Sequence, residues 1–215
     1  MKYELAVFDM DGTILDTLED LRDSLNFALE QNGLPTRTLG EVRSFVGNGI
    51  RLLVERGVPE GTGAELTDKV FDDFSAHYKL HCADKTRPYD GIKEVISALR
   101  AAGVKTAVVS NKADFAVQEL CRSYFPGLFD AAAGEQEGVR RKPAPDSVNT
   151  VIKALDAIGS SAVYIGDSEV DLETAKNAKL PCISVLWGFR SEEFLRQRGA
   201  KCTVSAPAEL LELIL

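Results

Sequence analysis

The sequence predicts a doubly wound α/β fold with an all-helical domain inserted after its first strand. Three observations support this prediction: short apolar segments typical of buried parallel strands, helical periodicity between them, and one long interval in which the alternation stops. The predicted strands are Leu5–Phe8, Lys105–Val109, Phe129–Ala133, Ala162–Ile165 and Cys182–Leu186. Because these strands alternate with helices, we expect them to form one parallel sheet.

Helical patterns fill the connections between the later strands. Apolar residues recur at helical spacing at Ile92, Val95, Ile96 and Leu99, and Gly103 after them is typical of a helix C-terminus. The other connecting helices are predicted over Phe115–Tyr124, Pro145–Ile158 and Asp171–Ala178. Each strand after the first is therefore preceded by one predicted helix, as a doubly wound sheet requires.

The interval between the first two strands is too long for a single crossover connection. One crossover helix accounts for part of it, and about 70 residues remain. Two apolar stripes at helical spacing occur in that remainder: Leu18, Leu21, Leu25, Ala28 and Leu29, and then Val70, Phe71, Phe74 and Tyr78. We therefore predict two domains, a core of residues 1–15 and 86–215 and an inserted helical domain of residues 16–85.

Charge and composition exclude several classes of protein. The chain has 215 residues, with 25 Lys and Arg against 33 Asp and Glu, and its formal net charge of −8 repels nucleic-acid backbones. No apolar run approaches the roughly 20 residues that span a bilayer, and the N-terminus lacks a signal-peptide layout. The four cysteines form no CxxC pair, which is typical of a reducing compartment. We expect a cytoplasmic protein that binds neither nucleic acid nor membrane, a monomer by default with a dimer left open.

Polar residues follow three of the predicted strands. They are Asp9–Thr13, Ser110–Lys112 and Gly166–Ser168, with Asp171 a few residues further on. Open α/β sheets bind ligands at the carboxyl ends of their strands, so these groups are expected to meet in one crevice. Carboxylates about 4 Å apart in a site of reduced dielectric repel by several kcal/mol per pair, so a cation must offset them. Mg²⁺ is the natural choice because it prefers carboxylate, carbonyl, water and phosphate oxygens.

Two aspartates spaced i, i+2 after the first strand suggest covalent chemistry. Asp9 and Asp11 would aim two carboxyl groups into one crevice, with Gly12 allowing the backbone to turn. One carboxylate can attack as a nucleophile while the other exchanges protons. Lys142, followed closely by two prolines that would stiffen its loop, suits the neutralisation of the nucleophile and of a transferring phosphoryl group.

Four motifs together resemble those of the haloacid dehalogenase-like (HAD) hydrolases. They occur in the family's order, each at a predicted strand end or in an adjoining loop, and the resemblance covers essentially the whole chain. The motifs are Asp9-x-Asp11-Gly12-Thr13, Ser110-Asn111, Lys142-Pro143-x-Pro145 and Gly166-Asp167-Ser168-x-x-Asp171. The resemblance implies a Rossmann-like core, and the insertion after the first motif is similar to the family's four-helix cap.

The resemblance also implies a role for each matching residue. Asp9 would be the nucleophile that forms an aspartyl-phosphate, and Asp11 would protonate the leaving oxygen and then activate water. Lys142 would balance charge as the third catalytic residue. The implied phosphate-binding residues are Thr13, Ser110 and Asn111. The implied Mg²⁺ ligands are Asp9, the backbone carbonyl of Asp11, Asp167 and, as a ligand or as a neighbour of the ligands, Asp171.

Two further segments are similar to those of phosphoglycolate phosphatases within the family, Arg43–Arg56 in the cap and Trp187–Arg190 after the last predicted strand. Within the first, Gly47-Asn48-Gly49 permits tight turning and exposes N–H groups that could bind an anionic end of a substrate. An Asp at the second position of the first motif favours phosphate transfer over dehalogenation. The predicted activity is Mg²⁺-dependent hydrolysis of a small phosphorylated metabolite, with 2-phosphoglycolate as the first candidate.

Other interpretations stay open at this point. Pyrophosphatase, sugar-phosphate phosphatase and β-phosphoglucomutase-like activities would use the same core motifs, and a non-catalytic binding module is a more distant alternative. Asp167, Asp171 and Ser110 could serve only as helix caps, and Gly47–Gly49 only as a turn between helices. His77 and His81 have the i, i+4 spacing of a zinc-binding pair but lack the Glu of an HExxH motif, so we expect no zinc site there.

Overall fold

The computed structural model describes residues 2–157 and 161–215. Their contacts divide the chain into two compact units. The first unit comprises Met1–Leu15 and Pro88–Leu215, and the second comprises Asp16–Arg87. The second unit is thus one continuous segment, whereas the first is built from two separate stretches of the chain.

Six parallel strands form the main sheet of the first unit. The strands of the described residues are β1 (Leu5–Phe8), β2 (Leu15–Asp16), β3 (Arg87–Pro88), β4 (Lys105–Ala113), β5 (Ala131–Glu135), β6 (Ala162–Gly166), β7 (Cys182–Val185) and β8 (Thr203–Val204). The main sheet has the order β5-β4-β1-β6-β7-β8, and every neighbouring pair in it is parallel. β2 and β3 form a separate two-stranded sheet. The predicted parallel sheet is confirmed, with β1 at its centre between β4 and β6.

Several strand bounds differ from those predicted. β4 continues past Val109 through polar residues to Ala113, and β5 begins at Ala131 rather than Phe129. Phe129 instead packs its ring edge-on against Phe8, with 6.2 Å between the ring centres. β2, β3 and β8 were not predicted, because two residues are too few to display the alternation by which a strand is detected.

The second unit consists of four helices, α1 (Leu18–Gln31), α2 (Leu39–Phe45), α3 (Ile50–Gly57) and α4 (Ala64–His81). The predicted apolar stripe of α1 is buried along its full length. The α4 stripe is buried at Val70, Phe74 and Tyr78. Phe71 is the exception: it is only half-buried, and the guanidinium of Arg51 lies 5.2 Å from the centre of its ring. An all-helical insertion was expected after the first strand. Apart from loops, Asp16–Arg87 contains four helices, the last residue of β2 and the first residue of β3.

Helices cover both faces of the main sheet. They are α5 (Ile92–Ala101), α6 (Asp114–Tyr124), α7 (Asp146–Ala154), α8 (Glu169–Asn177), α9 (Glu192–Gln197) and α10 (Glu209–Ile214). Alternate residues of β1 enter two separate apolar clusters: Ala6 and Phe8 pack with α5, α6 and α10, and Leu5 and Val7 pack with α7 and α8. The fold class is therefore the predicted doubly wound α/β sheet.

The predicted helix bounds agree with the structure to within a few residues, except at the end of α7. That helix was predicted to run to Ile158 and ends at Ala154, and Ile158 itself lies outside the described residues. Across residues 2–157 and 161–215, no helix has the length and apolar character needed to cross a membrane.

Candidate active site

The carboxyl ends of β1, β4 and β6 bring the predicted motifs together. Asp9 follows β1 directly, Ser110–Lys112 belong to the end of β4, and Asp167 follows β6. Because β1 pairs with β4 on one side and β6 on the other, these residues open onto the same edge of the sheet. Lys142 reaches this edge from the loop before α7.

A buried lysine joins two of the predicted carboxylates. The Nζ of Lys142 lies 2.8 Å from Oδ1 of Asp9 and 2.8 Å from Oδ1 of Asp171. The Tyr164 hydroxyl lies 3.1 Å from the same Nζ and 3.2 Å from Oδ1 of Asp171. All four side chains are buried. One ammonium group therefore serves two carboxylates in an environment that excludes most water.

Burial and neighbouring charges set the proton affinities of this group. Burial raises the pKa of Asp9 well above its ordinary value, the carboxylates of Asp171 and Asp167 raise it further, and Lys142 opposes them. Burial alone would lower the pKa of Lys142, but Asp171 and Asp9 outweigh it and raise that pKa well above its ordinary value. Lys142 is therefore a permanent cation, yet one cation does not offset all the negative charge around it.

Three carboxylates lie close enough to share one cation. One oxygen from each of Asp9, Asp167 and Asp171 lies within 4.8 Å of the other two. Burial, followed by the charge of Asp171, raises the pKa of Asp167 to about 7. Such a crowded, buried set of oxygen donors fits a hard divalent cation, whose charge would remove the repulsion among them.

Asp171 has less freedom to bind a cation than its two neighbours. Its Oδ1 faces Lys142 and Tyr164, while its Oδ2 accepts hydrogen bonds from the backbone N–H of Ser168 at 3.1 Å and from the Ser168 hydroxyl at 2.7 Å. These last contacts belong to the capping box that begins α8. Asp171 therefore serves as a helix cap and as a partner of Lys142 at once. Asp9 and Asp167 are the better candidates for direct ligands.

The predicted proton-exchanging carboxylate pairs with a second buried lysine. The Nζ of Lys112 lies 2.9 Å from Oδ1 and 3.3 Å from Oδ2 of Asp11. The side chain of Lys112 is 2% exposed, and that of Asp11 is 17% exposed. The Asp11 carboxylate does not belong to the cluster of three carboxylates. If Asp11 contacts a metal, it does so through its backbone carbonyl, as predicted.

The three predicted phosphate-binding residues lie at the same edge and also support their neighbours. Thr13 donates its hydroxyl to Oδ1 of Asp167 at 3.4 Å, and the Ser110 hydroxyl accepts the Lys112 backbone N–H at 3.3 Å. The Asn111 amide accepts the backbone N–H of Lys142 at 2.8 Å and donates to its carbonyl at 3.0 Å. Asn111 therefore fixes the loop that presents Lys142, a contact the motifs did not reveal. Binding of phosphate by these three residues stays a prediction.

The chain matches one hydrolase family over most of its length. The model of the haloacid dehalogenase-like hydrolases matches residues 6–185. The chain belongs to this family. Phosphoglycolate phosphatase of Mesorhizobium japonicum is 33% identical to it over 195 residues, covering 88% of this chain and 85% of that protein. The enzyme of the same name from Caulobacter vibrioides is 35% identical over 201 residues, covering 92% and 84%.

A solved structure supports the same assignment. The crystal structure of a protein from Lactobacillus delbrueckii subsp. bulgaricus superposes with a TM-score of 0.94 at 42% sequence identity. The superposition covers 100% of this chain and 99% of that one. The motifs indicated an HAD hydrolase, and these comparisons confirm it.

A segment after β7 supports two site residues of this HAD hydrolase. The Trp187 indole N–H donates to the carbonyl of Thr13 at 3.0 Å, and the Phe189 backbone N–H donates to Oδ2 of Asp167 at 2.7 Å. Between them, Gly188 lies against Asp167 and Gly12. In the sequence, Trp187–Arg190 is distinguished only by its similarity to phosphoglycolate phosphatases. A backbone N–H has no side-chain signal, so its contact with Asp167 could not be read from the sequence.

We expect Gly188→Ala to displace Asp167 in this hydrolase. An added Cβ would collide with Cβ of Asp167 and with the carbonyl oxygen of Gly12, neither of which belongs to a flexible side-chain end. The expected result is a loss of about 1–3 kcal/mol in the free energy of unfolding, and a fall in kcat/KM on the order of 10–100-fold. Thermal unfolding and steady-state kinetics measure the two effects.

A matched glycine provides the control for this substitution. A Cβ added at Gly40, in α2, would meet no atom within 4 Å. We expect Gly40→Ala to leave the stability unchanged or to raise it, because alanine is the better helix former. If Gly188→Ala matched the wild type in both measurements, the close packing around Asp167 would not restrict the site.

The predicted substrate-contacting residues of the helical unit lie in the turn between α2 and α3. Gly47 and Gly49 both have positive φ, 128° and 82°, which favours glycine at each position. The Asn48 side chain accepts a hydrogen bond from the Arg56 guanidinium at 3.0 Å. Gly47–Gly49 therefore forms a defined turn between two helices, which was the alternative to a role in substrate binding. A contact of these residues with substrate stays a prediction.

Proposed function

We propose that this hydrolase is a Mg²⁺-dependent phosphatase that acts through an aspartyl-phosphate on Asp9, with 2-phosphoglycolate as its preferred substrate. The chain is a phosphoric monoester hydrolase, as are the phosphoglycolate phosphatases that match it within this family of hydrolases. The observation that carries the finer proposal is the position of Asp9. Its buried carboxylate lies at the end of the central strand, beside the Lys142 ammonium and within reach of Asp167 and Asp171.

The orientation of Asp9 selects the attacking atom. Its Oδ1 accepts the backbone N–H of Met10 at 2.7 Å and lies 2.8 Å from Nζ of Lys142. These contacts fix the carboxylate and leave Oδ2 as the nucleophile. Oδ2 attacks phosphorus, the bond to the ester oxygen breaks, and the leaving oxygen takes a proton from Asp11. Lys142 offsets the negative charge that gathers around phosphorus.

The second half of the reaction returns the enzyme to its starting state. Water attacks the phosphorus of the aspartyl-phosphate and gives a proton to Asp11. The bond from phosphorus to Oδ2 breaks, so Asp9 leaves as a carboxylate and inorganic phosphate departs. The same Asp11 carboxyl group thus donates a proton in the first step and regains one in the second.

The acidic cluster is the proposed place of Mg²⁺. Asp9 and Asp167 would bind it directly, together with the backbone carbonyl of Asp11, while Asp171 stays with Lys142 and the start of α8. When bound, Mg²⁺ supplies positive charge to the phosphate oxygens and reduces the repulsion between phosphate and carboxylate. The raised pKa of Asp167, about 7, supports this assignment because burial beside Asp171 leaves its negative charge in need of a partner.

The choice of 2-phosphoglycolate comes from the relatives and from the sequence. The phosphoglycolate phosphatases of Mesorhizobium japonicum and Caulobacter vibrioides align with 88% and 92% of this chain at 33% and 35% identity, and the cap segment Arg43–Arg56 resembles that of such enzymes. The expected partner is accordingly a small phosphorylated metabolite. The four cysteines are all free thiols, which supports the proposed cytoplasmic location.

Phosphate release from a panel of compounds tests the proposed function. The panel contains 2-phosphoglycolate, two sugar phosphates, pyrophosphate and acetyl phosphate, each with Mg²⁺ and with EDTA. We expect 2-phosphoglycolate to have the highest kcat/KM and EDTA to abolish release. A preference for pyrophosphate or a sugar phosphate would keep the mechanism and reject the substrate. No Mg²⁺-dependent release from any compound would reject the phosphatase and leave two alternatives, a mutase, which a phosphoryl-transfer assay would detect, and a binding module.

Metal binding is tested separately from turnover by thermal unfolding. We expect Mg²⁺ at 100 times its Kd to stabilise the wild type by about 2.7 kcal/mol, which corresponds to a rise in Tm of about 5–10 °C. Asp167→Asn should lose most of this rise because it removes one of the two carboxylate ligands.

Asp146→Asn is the matched control for the metal experiment. It makes the same change at a surface carboxylate whose partner, Arg140, is largely exposed. We expect this variant to keep the full rise in Tm. An equal rise in Asp167→Asn and the wild type would contradict a metal site at Asp167.

A further inference from the structure

The proposed reaction leaves one buried cation at the site without a role. Lys112 lies one residue before the end of β4, and its side chain is 2% exposed. Its Nζ approaches both oxygens of Asp11, at 2.9 and 3.3 Å. Of the four motifs, only Ser110-Asn111 borders this residue, and no motif includes it. The sequence placed Lys112 among the polar groups at the strand ends but gave it no role, and the structure pairs it with Asp11.

The two lysines serve different carboxylates. Lys142 contacts Asp9 and Asp171, and Lys112 contacts Asp11. Each of the two chemical functions of the site, nucleophilic attack and proton exchange, therefore has its own cation. Because β4 and β1 are neighbours in the sheet, the fold itself brings the end of one strand to the residues after the other.

The pair between Lys112 and Asp11 differs from the ion pairs on the surface of the protein. An ammonium that is almost completely buried carries a large desolvation cost, so the fold keeps it only with a close partner. Contact with both carboxylate oxygens also fixes the orientation of the carboxyl group, which one contact alone would not.

We propose that Lys112 is a positioning residue that holds the Asp11 carboxyl group where it meets the leaving oxygen and later the attacking water. This inference rests on the proposed function, since it assigns the proton exchange to Asp11. Lys112 itself keeps its protons, and no bond to it forms or breaks. The proton passes from Asp11 to the leaving oxygen in the first step, and from water to Asp11 in the second.

The dependence on the leaving group distinguishes this role from a general structural one. An alkyl phosphate such as 2-phosphoglycolate releases a strongly basic oxygen that needs a proton. Acetyl phosphate, of similar size, releases acetate, which is stable as an anion and needs none. For Lys112→Met we expect kcat/KM to fall about 100-fold for 2-phosphoglycolate and less than about 5-fold for acetyl phosphate. If the panel gives another alkyl phosphate as the substrate, that compound takes the place of 2-phosphoglycolate.

Three variants serve as controls. Lys112→Arg keeps the cation and should recover part of the loss. Lys105→Met makes the same change at the exposed start of β4, where the ammonium contacts the Leu155 carbonyl. This variant should leave kcat/KM for both substrates unchanged. The double variant Asp11→Asn/Lys112→Met removes both charges, so neither is left without its partner. Its kcat/KM for the alkyl phosphate should be less than about 3-fold below that of Asp11→Asn alone. The double variant keeps the test valid if Lys112→Met does not fold.

The outcomes separate this inference from the proposed function. Equal losses for the two substrates in Lys112→Met, or a full additional loss in the double variant, would overturn the role of Lys112 while leaving the phosphatase intact. A wild-type enzyme without Mg²⁺-dependent release from any compound would overturn the proposed function and this inference with it. A selective loss for the alkyl phosphate, recovered in part by Lys112→Arg, is the result that supports Lys112 as a positioning residue.

Discussion

Asp9→Asn is expected to lower kcat/KM by at least about 10⁴-fold, the scale on which removal of a catalytic nucleophile acts in other hydrolases. Asparagine has the same shape, and its amide oxygen can still accept the backbone N–H of Met10, but it does not attack phosphorus. Phosphate release from 2-phosphoglycolate measures the effect. Mass spectrometry of acid-quenched samples adds a direct check, since the phosphoryl group should remain on wild-type protein and be absent from the variant.

The folded state should tolerate the change at Asp9. Burial and the carboxylates of Asp171 and Asp167 raise the pKa of Asp9 well above its ordinary value, so its charge is unfavourable in the folded protein. Asparagine removes that charge, and Lys142 retains Asp171 as a partner. We expect the Tm in EDTA to be equal to or above that of the wild type. Activity within 100-fold of wild type in a folded Asp9→Asn variant would reject Asp9 as the nucleophile.

Lys142→Met is expected to have the largest effect on stability. The substitution leaves Asp9 and Asp171 buried without their cation, and loss of one partner of a buried ion pair typically costs about 3–5 kcal/mol. In a chain of this size that corresponds to a fall in Tm of roughly 6–20 °C. We also expect phosphate release to fall at least about 10³-fold, because no fixed cation remains beside the phosphoryl group. Thermal unfolding in EDTA and steady-state kinetics measure the two effects.

A second substitution separates the electrostatic cause from a packing defect. Adding Asp171→Asn to Lys142→Met removes one of the two uncompensated charges, so we expect it to restore part of the lost stability but none of the activity. Lys153→Met, at an exposed position of α7, makes the same change without a buried partner and should match the wild type. A loss below about 1 kcal/mol in Lys142→Met would show that the buried pairs contribute little to folding.

Local sequence patterns were enough to predict five of the six strands of the main sheet and the helices α5 to α8, but not β8, α9 or α10. Leu5–Phe8 is apolar throughout because β1 is buried on both faces, and the stripe on α1 repeats at helical spacing because one side of that helix is buried. Thr203–Val204 has no such pattern, being only two residues long at the edge of the sheet. The end of β4 was missed because its residues are polar, although they are buried by the site around them.

The candidate site was predictable as a set of motifs but not as a set of contacts. Asp9, Asp11, Lys142 and Asp167 could be named because their motifs have characteristic residue types and spacing. The pairing of Lys112 with Asp11 depends on β4 being the neighbour of β1, and strand order has no local signal. The support of Asp167 by Phe189 comes from a backbone N–H, which every residue other than proline has.

The central place of β1 also bears on how the protein is made. Leu5 pairs with Lys105 on one side and with Ala162 on the other, so β1 leaves the ribosome about 100 residues before its first partner in the sheet. At ordinary rates of translation that is on the order of 5–20 s with an apolar segment unpaired. The helical unit, a continuous stretch from Asp16 to Arg87, is complete well before then. Asp9 is therefore synthesised well before the rest of the site, which is complete only when Phe189 has emerged.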